Sequence, residues 1–98
     1  MLTDEQCKYL GSMKFINIID EHVKALAEYQ VKYLPSAPEV VGTIVLILHV
    51  FYNSEEITKL SFNLRNYDYD ELLDIAKNIK DNEFIMFEMD NALGGSYD

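Results

Sequence analysis

Polar and apolar positions alternate with helical period over the first third of the chain. Thr3-Asp4-Glu5-Gln6 has the form of a capping box, Thr3 as N-cap and Gln6 at the third helical position, so a helix is predicted from Asp4. Gly11-Ser12 marks a break or kink. Beyond it Phe15, Ile19, His22, Leu26, Tyr29 and Tyr33 recur three or four apart and predict one buried helix face. Asp20, Glu21, Lys24, Glu28 and Lys32 take its wet side. Unbroken, residues 4–33 would span about 45 Å at about 1.5 Å per residue, more than a chain this short can cover with its own core, so a kinked helix pair is expected.

Pro35 and Pro38 close the helical region with an extended connector. The period then changes. Val40 to Tyr52 is rich in β-branched and aromatic residues and apolar at both alternating sets of positions, which predicts a central strand. Asn53-Ser54-Glu55-Glu56 is a turn signal. From Ile57 to Arg65, Thr58, Leu60, Phe62 and Leu64 alternate with Lys59, Ser61, Asn63 and Arg65, so a β-hairpin with a half-polar second strand is expected.

Asp68 and Glu71 form a second capping box, with Tyr67 and Leu72 placed as a hydrophobic staple. Leu72, Ile75, Ala76 and Ile79 make the buried stripe of that helix, and Asp81-Asn82 stops it, with Asn82 suited to a left-handed cap. Glu83 to Asp90, apolar at Phe84, Ile85, Met86, Phe87 and Met89, predicts a third strand. The fold expected is therefore α+β, in the order ααββαβ: an N-terminal helix or kinked pair, a hairpin, a helix and a third strand. A single helical crossover makes the third strand parallel to the second, giving a three-stranded mixed sheet of order 2-1-3. Residues 1–90 form the expected domain and 91–98 a mobile tail. A central strand apolar on both faces needs cover on both. The second cover is either the N-terminal helices or another copy of the chain, which makes Ile44, Leu46, Leu48, Val50 and Tyr52 a candidate homodimer face.

The 98 residues include 17 acids and 8 bases, a formal net charge of −9, and 49% are hydrophobic. This is a globular composition. The charge argues against direct nucleic-acid binding, which needs a basic face, and against adsorption to anionic membranes. The N-terminus has neither the basic nor the apolar segment of a signal peptide, and the longest apolar run, Val40 to Tyr52, is too short to span a bilayer. Cys7, the single cysteine, permits no intrachain disulfide. Together these features predict a cytoplasmic protein, in the host cytoplasm if the chain is viral.

The charge is unevenly distributed. Residues 1–49 hold six acids and four bases, and residues 50–98 hold eleven acids and four bases. Asp68, Asp70 and Glu71 are explained by the macrodipole at a helix N-terminus. Glu55, Glu56, Asp81, Glu83, Glu88 and Asp90 are not. With Tyr67 and Tyr69 interleaved as aromatic anchors, Glu55, Glu56, Asp68, Asp70, Glu71, Asp74 and Asp81 form a candidate partner-binding set.

Several chemistries are tested by the same residues. Asn66, Asp68 and Asp70 start like a calcium loop, but Glu71 stands where Gly is needed and Lys77 where a bidentate Glu is needed. His22 and His49 have no metal-ligand spacing and are expected as core histidines at a helix–sheet contact. Asp4 and Glu5 beside Cys7 are the opposite of the electropositive setting of a reactive thiolate. No phosphate-binding loop, nucleophile elbow or dinucleotide fingerprint is present. The chain is therefore expected to be no enzyme and to need no cofactor or metal. The expected role is a small acidic inhibitor that shields a basic partner, such as a nuclease or other nucleic-acid-binding protein, by mimicking phosphate charge. In composition it resembles small acidic anti-defence and anti-CRISPR-like proteins of viruses and mobile elements. Two alternatives stay open: an immunity protein or antitoxin against a cognate toxin, and an assembly subunit working through the apolar sheet face.

Overall fold

Both capping boxes form as read. In the computed structural model, which describes residues 2–94, the Thr3 hydroxyl accepts from the Gln6 amide at 3.1 Å and the Gln6 side chain accepts from the Thr3 amide at 3.0 Å. Helix α1, Asp4–Ser12, follows. Gly11 lies inside it, so the chain breaks at Met13 rather than at Gly11.

The next twenty residues differ from the expected helix. They form strands β1 (Lys14–Ile18) and β2 (Val23–Leu34), joined by a turn in which the Asp20 carboxylate accepts from the His22 and Val23 amides at 2.7 and 2.8 Å. The helical template fitted because it mixed residues from both faces of a sheet. Along β2, Val23, Ala25, Ala27 and Tyr29 are buried, while Lys24 and Gln30 are exposed. That is a period of two, which a strand satisfies and a helix does not.

Strand β3 spans Ala37–Tyr52 and β4 spans Glu55–Asn63, the expected hairpin with a longer first strand. Asn53 and Ser54 turn the chain with φ of 49° and 70°, the left-handed pair of a two-residue hairpin loop. The sheet is four-stranded in the order β1-β2-β3-β4, and every pairing is antiparallel. This corrects the three-stranded mixed sheet of order 2-1-3. At Gly42 the β2–β3 register slips by one residue; a Cβ there would come within 2.8 Å of the Leu34 side chain, so the glycine opens the space that Leu34 fills.

Helix α2 covers Tyr69–Lys77, and a 3-10 turn over Ile79–Asp81 leads into α3, Glu83–Ala92. The last element is thus a helix, where a third strand was expected. Its N-cap is Asn82, whose side chain accepts from the Ile85 amide at 3.0 Å with φ of −101°, not a left-handed cap. Ile85 and Met89, four apart, are its buried residues. Asn91 and Ala92 complete α3, and residues 95–98 of the expected tail lie outside the described residues.

All three helices lie on one face of the sheet. Helix α1 packs on β2, α2 on β1 and β2, and Phe84 of α3 meets Phe62 of β4 edge to face at 5.9 Å. Ile44, Leu46, Leu48 and Val50 point into this layer and are at most 2% exposed. The candidate dimer face is therefore corrected: its β3 row is the core of the chain itself, with Tyr52 packed at its end. Burying each such side chain stabilises by roughly 1.5–3 kcal/mol, so exposing the row to another copy would cost more than it gained. The assembly reading thereby loses the β3 row that it invoked. Among the described residues, no helix is long and apolar enough to cross a membrane.

The two layers are joined by polar contacts as well. The buried Asn17 side chain of β1 donates to the Ala76 carbonyl at 2.7 Å and accepts from the Ile79 amide at 3.1 Å. It thereby holds both the end of α2 and the start of the 3-10 turn. The Tyr29 hydroxyl of β2 donates to the Leu72 carbonyl at 2.6 Å. Burial raises the Tyr29 phenol well above its ordinary range.

Candidate functional site

The β4–α2 loop is tied at both ends. The Leu64 amide donates to the Ile44 carbonyl at 2.8 Å, and the Tyr67 amide donates to the Leu64 carbonyl at 3.2 Å. The Asn63 side chain accepts from the Arg65 amide at 3.1 Å. The loop then delivers the chain to the second capping box. Asp68 accepts from the Glu71 amide at 2.8 Å, and Glu71 accepts from the Asp68 amide at 3.1 Å.

This geometry divides the candidate residues by role. One carboxylate oxygen of Asp68 and one of Glu71 are engaged by the helix N-terminus. Asp74 accepts from the Asn78 side chain at 3.0 Å. Asp70 and Asp81 are exposed. Tyr69 is half-buried against Tyr9 of α1, ring centroids 6.5 Å apart, while Tyr67 is exposed.

Beside this helix start lies an open cleft of about 680 Å³. Leu2 and Gln6 form one side, Glu39 to Val41 and Ile44 of β3 the second, and Arg65 to Asp70 the third. Tyr67, Asp68, Tyr69 and Asp70 all line this cleft. The cleft combines apolar walls, two phenols and carboxylates, a setting suited to holding a basic side chain over an aromatic ring. Glu71 and Asp74 continue along α2, and Asp81 stands beyond it in the 3-10 turn.

Glu55 and Glu56 do not join them. They begin β4 at the far end of the sheet, and Ile44 to Tyr52 alone spans about 26 Å of strand. Glu56 faces the open side of the sheet, where its carboxylate lies 3.0 Å from His49 Nδ1. Glu28 lies 2.8 Å from His49 Nε2. His49 is thus not the core histidine expected, but part of a charged row on the uncovered face. His22 is not a core residue either: it is exposed in the β1–β2 turn, stacked on Tyr52 at 5.8 Å and paired with Glu21 at 2.9 Å.

Cys7 is buried under α1. The neighbouring Cys7 thiol is the main cause that raises the Tyr33 phenol above its ordinary range. Among the described residues, no three His, Cys, Asp or Glu side chains converge to hold a metal ion.

Two surface aromatics escaped the sequence reading. Phe84 and Phe87 of α3 are 65% and 61% exposed, one turn apart and flanked by Glu83 and Glu88. Reading 83–90 as a strand gave neither ring a surface role. The signal for a helix was present: Asn82 in N-cap position, with Ile85 and Met89 four apart.

Comparison with protein-family models, with curated proteins and with solved structures finds no match.

Charge is shared unevenly between the faces. Lys14, Lys24 and Lys59 share the uncovered face of the sheet with Glu28 and Glu56, as their pairing partners across β1 to β4 require. The helical layer from Asp68 to Asp90 carries eight acids against Lys77 and Lys80.

Proposed function

We propose that this protein is a non-enzymatic binding protein that shields a basic partner, and that the helical layer is its contact surface. The observation that supports this is the uneven sharing of charge. The lysines gathered on the sheet leave α2 to α3 strongly acidic, and on that acidic ground stand the exposed rings of Tyr67, Phe84 and Phe87. Carboxylates steer a basic protein into encounter, and aromatic side chains supply the apolar anchors at which binding energy concentrates. Spaced carboxylates also occupy a groove built for phosphates, which makes nucleases and other nucleic-acid-binding proteins the partner class. The reading as an anti-defence inhibitor of viral or mobile-element origin is the biological form of this proposal.

The test is binding of the full chain to a panel of purified nucleases and other basic nucleic-acid-binding proteins across a salt series, with duplex DNA as competitor. The expected result is a complex that weakens with salt, is displaced by DNA, and loses at least about tenfold in affinity when Asp70, Asp74 and Asp81 become Asn and Glu83 becomes Gln. A complex indifferent to salt and to these changes refutes the charge mechanism. Absence of binding across the panel refutes the partner class.

A further inference from the structure

The sheet has two edges, and only one is protected. The β4 edge carries Glu55, Glu56 and Lys59, and its register against β3 slips between Val50 and Phe51. Charges and bulges of this kind discourage pairing with another strand. The β1 edge has neither device: its register with β2 is unbroken from Lys14 to Ile18, and its one charge is Lys14. Ile16 and Ile18 are 73% and 66% exposed, the most exposed of the large apolar side chains among the described residues.

The direction of the backbone groups follows from one hydrogen bond. The Ile19 amide donates to the Val23 carbonyl at 2.9 Å. In an antiparallel strand both polar groups of a residue point the same way, with period two. Those of Phe15 and Asn17 therefore face β2, and those of Lys14, Ile16 and Ile18 face away from the sheet. Three N–H and three C=O groups thus line an edge flanked by two exposed isoleucines.

We propose that this edge pairs with the same edge of a second copy, antiparallel about a two-fold axis at Ile16, joining two sheets into one of eight strands. Self-pairing fits the charges. With Ile16 opposite its counterpart, each Lys14 stands opposite an Ile18, so its aliphatic stem covers an exposed isoleucine. The two Lys14 ammoniums lie at opposite ends of the paired segment, about 13 Å apart, beyond the Debye length of about 8 Å at physiological salt. No like charges face each other. The axis runs through the sheet, so both acidic helical layers lie on one side of the dimer. The inference rests on the edge alone and holds whether or not the acidic layer binds a basic protein.

Sedimentation velocity of the full chain over a concentration series tests this, with hydrogen exchange of individual amides. The expected result is a monomer–dimer equilibrium. The double variant Ile16→Lys, Ile18→Lys weakens association at least about tenfold, by setting lysines opposite one another, with an unchanged far-ultraviolet circular dichroism spectrum. Ile57→Lys on the other edge leaves it unchanged. The Ile16 and Ile18 amides gain protection with concentration, whereas those of Phe15 and Asn17 are protected throughout. A monomer at every concentration overturns the proposal, as does a dimer that ignores the double variant or leaves the Ile16 and Ile18 amides exchanging freely.

Discussion

Replacing Asn17 by alanine tests the polar joint between sheet and helices. Asn17 is 6% exposed, and its side chain makes one bond to the Ala76 carbonyl and one to the Ile79 amide. Alanine removes both partners at once and leaves a backbone acceptor and a backbone donor in a site closed to water. Each buried group stranded in this way costs about 1–3 kcal/mol, so the variant, which strands two, should lose about 2–6 kcal/mol. Against a total stability of about 5–15 kcal/mol for a small domain, that is a large fraction. Urea unfolding followed by circular dichroism measures it: the midpoint should fall with little change in the slope. The same variant should lose hydrogen-exchange protection at the Ile79 amide. Tyr29→Phe is the contrast. It removes a 2.6 Å bond to Leu72, but that carbonyl lies within α2 and keeps its helical partner, so the loss should be only about 1 kcal/mol. If Asn17→Ala costs less than Tyr29→Phe and Ile79 remains protected, the joint is not what holds α2 to the sheet.

Other outcomes follow from single features. Asp68→Ala removes the α2 cap and should cost about 1 kcal/mol in the same unfolding experiment. Ser54→Gly should stabilise by about 0.5–1 kcal/mol, because φ of 70° suits glycine better than serine; no gain would mean the turn carries no strain. Stability should fall at alkaline pH. The folded state raises the Tyr29 phenol above its unfolded value near 10, so its contribution is full below that pH and is lost as pH rises toward the folded value, by up to about 1.4 kcal/mol per pH unit. Tyr29→Phe should flatten that slope, which pH-dependent urea titrations will show.

Much of the candidate site was legible because its signals are local. Asp68 and Glu71 stand three apart, and a helix start needs an acceptor at one and a reach-back at the other. Tyr67 to Asp70 then had to lie at that start. The cleft beside it was not legible, since Leu2, Glu39 and Arg65 meet there only through packing. Glu55 and Glu56 were grouped with these residues by charge alone. A strand of about 26 Å separates them, and no composition records that distance.

The chain by itself determined its helix caps, the β3–β4 hairpin with its left-handed turn, and the excess of negative charge. These depend on residues a few positions apart, or on a sum. Tertiary structure decided the rest. Residues 14–34 carry apolar positions compatible with both helical and strand periods, and intrinsic preferences differ by only a few tenths of a kcal/mol per residue. Pairing of β2 on both sides, with Tyr29 and Asn17 bonded to α2, settles them as strands. Residues 83–92 are a helix because Ile85 and Met89 complete the core from one side, leaving Phe84 and Phe87 to solvent. Which face of β3 is covered followed only when all three helices gathered on one side. That arrangement buries the row from Ile44 to Val50, turns the lysines of the sheet outward beside Glu28 and Glu56, and leaves eight acids from Asp68 to Asp90 on the helical layer.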